Sequence, residues 1–207
     1  MAALCLCVQG QSTATTETKG LPPRVTPGDY QAQAQAGTVT VAAEFAGHGV
    51  PTHQGVFSTE DFVVVETAFF GPPEARLKLS VDDFSLRING KKAPLPSQPF
   101  ELVAKSLKDP EWEPPVQAEA KSKTSFGGSG KGGQGDSNMP PAPVHMPIAL
   151  QRAMEQKVQK ALLPEGDRAL PQAGLIFFQY KGKAQSIHSI ELIYTGSAGT
   201  ATLTLQP

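Results

Sequence analysis

Cysteine is almost missing from this chain: 207 residues contain two, Cys5 and Cys7, both within the first seven positions. Without others, the rest of the chain can build neither a disulfide framework nor a thiolate metal site. Excess positive charge is missing as well. Lys and Arg number 18 against 19 Asp and Glu, for a formal net charge of −1, and no basic stripe offers the phosphate contacts that nucleic-acid binding needs. No apolar run approaches the roughly 20 residues of a membrane-spanning helix. The chain also lacks a G-x-S-x-G nucleophile elbow and an H-E-x-x-H zinc helix. Proline and glycine, at 19 and 20 residues, exceed average usage and predict long irregular connections. Most of that excess falls between Pro110 and Pro147.

The Asp61–Leu95 stretch organises what remains. Asp61-Phe62-Val63-Val64-Val65-Glu66-Thr67-Ala68-Phe69-Phe70 is rich in β-branched and aromatic residues, as a strand buried on one face and partly covered on the other requires. Gly71-Pro72-Pro73 ends it, and Leu77 and Leu79 then alternate with Arg76, Lys78 and Ser80. Phe84, Leu86 and Ile88 alternate with Ser85 and Arg87 up to Asn89-Gly90. That dipeptide accepts the positive φ angles of a type I′ turn, so Lys91 to Leu95 is expected to fold back as the hairpin partner. Upstream, Tyr30, Ala32, Ala34 and Ala36 form one alternating run, and Val39, Val41, Ala43 and Phe45 form a second beyond Gly37.

The ends and the middle read differently. Met1 to Val8 is apolar, and Gly10-Gln11-Ser12 supplies small residues for cleavage, so residues 1–12 are expected to be a signal segment. It is expected to be a truncated one, as the apolar run carries no Lys or Arg ahead of it. Leu4 and Leu6 stand where a lipoprotein site needs a small residue before its Cys. Residues 13–28 predict a flexible leader. Residues 110–146, with the run Phe126-Gly127-Gly128-Ser129-Gly130-Lys131-Gly132-Gly133-Gln134-Gly135, predict a flexible insertion. Such a segment buries too little apolar surface to offset an ordering cost of roughly 1–2 kcal/mol per residue.

Residues 147–163 predict the one helix, with Leu150, Met154, Val158 and Ala161/Leu162 as a packing stripe and Pro164-Glu165-Gly166 as the stop. Three further strands follow at Gly174–Tyr180, Ile187–Tyr194 and Ala201–Leu205, expected as a meander. Neither half has enough strands to close alone. Residues 29–207 are therefore expected to form a single β-sandwich domain sharing one core, interrupted by the insertion and the helix.

The segments Asp61–Glu66, Asp83–Lys91 and Ala173–Phe178 resemble those of an immunoglobulin-like domain of unknown function found in bacterial lipoproteins and secreted antigens. The resemblance covers about two thirds of the chain and departs where the Gly-rich insertion and the helix enter. It implies a mainly β, antiparallel immunoglobulin-like sandwich in an extracytoplasmic setting, and it lends no catalytic residues.

Candidate chemistry is sparse. Gly130-Lys131-Gly132-Gly133-Gln134-Gly135 spells G-x-G-x-x-G, yet no strand precedes it and no helix follows directly. His48 and His53 could reach a metal from one loop but lack a third ligand nearby. His145 opens the helix and His188 lies in a strand, neither with a carboxylate partner in sequence. Asp82-Asp83 marks a turn, and Asp109, Glu111 and Glu113 surround Trp112 in a solvated loop. Trp112 either covers its own core edge or docks on a partner. No catalytic, metal or cofactor-binding residue is assigned, and no cofactor is expected. The function expected is a secreted or periplasmic, non-catalytic sandwich that binds a protein partner or sits in an envelope assembly, without nucleic acid. The alternative is a carbohydrate-active or hydrolytic accessory module with a loop-built site.

Overall fold

The computed structural model describes residues 19–113 and 145–207. The signal segment 1–12, the beginning of the leader and residues 114–144 of the insertion, with its glycine run, lie outside the described residues. Thirteen strands follow one another in the described chain. They are β1 (Ala32–Ala36), β2 (Val39–Gly47), β3 (Gly49–Thr52), β4 (Gly55–Thr59), β5 (Phe62–Phe70), β6 (Arg76–Leu79), β7 (Phe84–Ile88), β8 (Leu95–Gln98), β9 (Leu107–Lys108), β10 (Gly166–Ala169), β11 (Gln172–Gln179), β12 (Ile190–Gly196) and β13 (Gly199–Leu205). Helix α1 (Phe100–Val103) precedes β9, and helix α2 (Ile148–Ala161) precedes β10.

Eight strands form one antiparallel sheet in the order β1-β2-β5-β11-β8-β7-β12-β13, which interleaves strands from both halves of the chain. The sheet nearly closes, because β13 returns alongside β1. At this seam the Gln31 side-chain amide donates to the Gln206 carbonyl at 2.9 Å. A Cβ on Gly37, whose φ is +60°, would stand 2.6 Å from the Ala198 carbonyl oxygen. The ladder divides into two blocks. Strand β8 joins them narrowly, pairing Leu95 and Pro96 with β7 and Ser97 and Gln98 with β11. Strands β10 and β6 form a two-stranded sheet, and β3, β4 and β9 a three-stranded one.

The side-chain period of two explains the layers. On β5, Val63, Val65 and Phe69 point into the enclosed core with Phe84, Leu86, Ile190, Leu192, Tyr194 and Leu203. Phe62 and Val64 point the other way, into a second core beneath α2 with Leu175, Phe177, Met154 and Val158. Strand β5 is thus buried on both faces, which its unbroken apolar run allows. Burying Met154 and Val158 contributes about 1.5–3 kcal/mol each. Phe69, Phe84 and Tyr194 meet edge-on or tilted, with centroids 5.1–5.9 Å apart.

Several expectations are corrected. The predicted meander is absent: β11 pairs with β5 and β8, while β12 pairs with β7 and β13. The residues before β12 are held instead by Asn89, whose side chain bonds Ser186 O, His188 N and Ser189 N, and β12 pairs with β7 in register from Ile190↔Ile88. The Asn89-Gly90 turn has φ of +53° and +64° as expected, but pairing begins at Leu86↔Leu95, so the partner strand is Leu95–Gln98 rather than Lys91–Leu95. Pro94 has no N–H to give the ladder. The helical stripe is shorter than predicted. Its packing face begins at Met154, whereas Leu150 is 51% exposed.

Over its described part the leader lies against the sheet. Gly20 N–H donates to Lys160 O at 2.8 Å, and Leu21 N–H to Ala173 O at 2.9 Å. Segment 20–30 therefore lies as a strap across β11, β5 and β2. Ala42, Ala68 and Ala173, directly paired across these strands, are fully buried with Tyr30 and Leu21 against them. A row of alanines leaves the depth that a crossing chain needs.

Candidate functional site

The densest polar constellation among the described residues holds this strap. Glu44 on β2 and Glu66 on β5 are direct cross-strand partners. Arg24 bridges them, with Nη1 2.5 Å from Glu44 Oε2 and Nη2 3.4 Å from Glu66 Oε2. The Arg24 guanidinium also lies 4.4 Å from the Tyr30 ring centroid and donates to Asp29 O at 2.6 Å. Its backbone N–H donates to the Tyr30 hydroxyl at 3.1 Å. The turn Pro27–Asp29 brings Tyr30 back over Arg24, and Asp29 Oδ2 accepts from Thr26 N–H at 2.7 Å to hold it.

Electrostatics here follow burial. Burial pushes the Glu66 carboxyl above the ordinary carboxylate range, the Arg24 guanidinium pulls it back, and the Glu44 charge adds to the rise. The Tyr30 phenol is raised chiefly by burial. Two facing carboxylates are the arrangement that acid–base chemistry on a substrate uses. Here one guanidinium occupies both as acceptors, so the cluster anchors chain. The sequence reading missed it, although a signal existed: Glu44 and Glu66 are the only charged residues of β2 and β5.

A second pair of raised groups sits at the end of the enclosed core. Burial, followed by the neighbouring charge of Asp82, lifts the Asp83 carboxyl, while Lys78 opposes the shift. Burial lifts the Tyr194 phenol. Gly196 lies between them: a Cβ there would stand 2.4 Å from Asp83 Oδ2 and 2.5 Å from the Tyr194 hydroxyl.

Clefts open elsewhere among the described residues. One of about 330 Å³ lies near β8, α1 and the end of α2, with Lys19, Arg168, Glu101 and Glu165 in its wall. Another, of about 290 Å³, has Asp61, Lys105 and Lys181. A third, of about 220 Å³, separates the β3–β4 turn from α2.

The residues singled out by sequence do not converge. The two ring nitrogens of His48 lie 2.7 Å from Phe62 O and 2.9 Å from Gly182 O, and its ring stacks near Tyr180 at 6.4 Å. His53 Nε2 instead lies 3.2 Å from Gly20 O. His145 and His188 are exposed. Among the described residues no group of three or more His, Cys, Asp and Glu is placed to hold a metal. Asp82-Asp83 forms a short turn, with Ser80 Oγ accepting from Asp82 N–H at 3.3 Å. Trp112 is half-buried in a turn closed by its N–H on Asp109 O at 3.2 Å, and it joins none of the core clusters. Among the described residues no helix is long and apolar enough to cross a membrane. Compared with protein-family models, curated proteins and solved structures, the chain matches none of them.

Proposed function

We propose that this chain is a non-catalytic, extracytoplasmic β module that binds a protein partner or sits in an envelope assembly. The observation that carries the reading is the assignment of Arg24 to Glu44 and Glu66. The facing carboxylates that could serve an acid–base reaction hold the strap instead. The apolar segment 1–12 supports export. Within this reading the fold is an immunoglobulin-like sandwich. Two ladder blocks face one another across one core, and β8 links them through two-residue pairings.

Two measurements test the reading on the full chain. Fractionation of cells expressing it is expected to place it outside the cytoplasm, and retention in the cytoplasm overturns the location. Incubation with a panel of polysaccharides and carboxylic esters is expected to give no turnover. Hydrolysis abolished by Glu66→Gln overturns the non-catalytic reading in favour of the hydrolytic alternative.

A further inference from the structure

We propose that the cleft bordered by the start of β5, the exit of β11 and the turn after α1 binds a free aliphatic α-amino acid as its zwitterion. The space measures about 290 Å³, and its wall includes Asp61, Leu102, Lys105, Gln179 and Lys181 together with the buried Phe62. Both signs of charge therefore border one cavity that also has an apolar surface. Sites for drug-sized ligands begin at about 300 Å³, so this one suits a smaller solute.

The backbone around the cleft is fixed, while its charged groups are left unused. Tyr180 N–H donates to Asp61 O at 2.8 Å, which ties the entry of β5 to the exit of β11. Ser106 Oγ donates to Val103 O at 2.9 Å and lies 2.7 Å from Thr59 Oγ1, so the turn carrying Lys105 is anchored to β4. Yet Asp61, Lys105 and Lys181 form no ion pair among the described residues, and the Gln179 side-chain amide has no hydrogen-bond partner there. The cleft near β8 and the end of α2 differs in this respect: its Glu165 accepts from Val81 N–H at 3.2 Å, and its Arg168 donates to Glu165 O at 2.9 Å.

These features discriminate among small solutes. The two ammonium groups donate to a carboxylate and Asp61 accepts from an ammonium, and such charge-assisted hydrogen bonds are the strong ones. A simple anion brings its charge against Asp61, and a simple amine brings its own against two lysines, so a single charge of either sign is opposed. A solute carrying both charges on one carbon meets neither penalty. Leu102, 51% exposed on the same wall, offers the apolar surface that a short hydrocarbon side chain would remove from water.

The test is an amide NMR titration of the full chain with L-leucine, run beside isocaproate, isoamylamine and glycine, which lack the ammonium, the carboxylate and the side chain in turn. Saturable shifts are expected with leucine at 61–62, 102–106 and 179–181, and each truncated solute should bind at least about tenfold more weakly. Lys181→Gln and Asp61→Asn should each weaken leucine about tenfold, and Lys181→Arg should retain it. Neither wild-type side chain has an ion-pair partner to lose among the described residues, so an unchanged melting temperature is expected for all three variants. Absent or non-saturating shifts with leucine, equal binding of any truncated solute, or undiminished binding by Lys181→Gln or Asp61→Asn would overturn the site.

Discussion

Leu163 lies directly on Gly174: a Cβ built at Gly174 would stand 2.3 Å from both the backbone nitrogen and the Cα of Leu163. The close approach lets the chain leaving α2 pass over β11, where Leu163 N–H donates to Leu175 O at 3.1 Å and Leu162 bridges Leu175 in parallel. It also carries the Leu163 side chain into the enclosed core. Gly174→Ala is therefore expected to destabilise the fold by about 3 kcal/mol, because backbone rather than a flexible side chain must yield. Gly28→Ala, whose added Cβ would meet nothing nearer than 3.7 Å, is the control. Urea unfolding of both variants measures the difference, and equal midpoints would show that the crossing segment is not held here.

Thr67 is fully buried on the core-facing side of β5. Its hydroxyl has no hydrogen-bond partner among the described residues. Its cross-strand neighbours are Ala43 and Gly174, which offer no side-chain acceptor. Replacing the hydroxyl with a methyl removes an unsatisfied polar atom at nearly constant volume. Thr67→Val is thus expected to stabilise by about 1 kcal/mol. A loss of stability in thermal or urea melts would mean that the hydroxyl has a partner in solution.

Period-two alternation made most strands readable, β7 and β13 most clearly, because their alternate residues divide cleanly between core and solvent. The register of the sheet was less readable. Nothing local in Gly174 to Tyr194 says that β8 will come between β11 and β12. The Asn89 side chain ties its turn to the segment before β12 through contacts distant in sequence, and no local pattern announces them. The strap escaped for a related reason. Residues 20–30 look like a loop because they make few repeating hydrogen bonds, and their stability comes from Arg24, Tyr30 and an alanine row in three other segments. The two glutamates under Arg24 were visible as lone charges in apolar strands, whereas the guanidinium that pairs them was not.

The raised Glu66 carboxyl gives a pH signature of definite sign. Its folded-state pKa lies above the ordinary value, so between the two the native chain holds more proton than the unfolded chain. Stability from this group is complete below the ordinary carboxylate range and falls as pH rises through the raised value. Glu66→Gln removes this dependence. Asp83, raised in the same direction, contributes to both proteins and cancels in the comparison. The difference in unfolding free energy between wild type and Glu66→Gln is expected to shift in favour of the variant as pH climbs through this window. A difference independent of pH would show that burial does not control Glu66.

Asn89 combines two roles that substitution can separate. Its φ of +53° suits Asn or Gly. Its side chain accepts from His188 N–H at 2.7 Å and Ser189 N–H at 3.3 Å, and donates to Ser186 O at 2.8 Å. Asn89→Gly keeps the backbone conformation and deletes those bonds, so its cost reports the tie between the turn and β12, about 1–3 kcal/mol. Asn89→Ala deletes the same bonds and adds backbone strain at positive φ, so it is expected to cost about 1 kcal/mol more. Amide exchange locates the damage. If Asn89 delivers β12 to β7, the amides at Ile190 to Tyr194 lose protection in both variants, while the β2–β5 ladder between Val41 and Phe69 keeps its own. Unchanged protection along β12 would mean that the strand finds its place without Asn89. The β12 order would then come from the apolar pairs Ile88↔Ile190 and Leu86↔Leu192 alone.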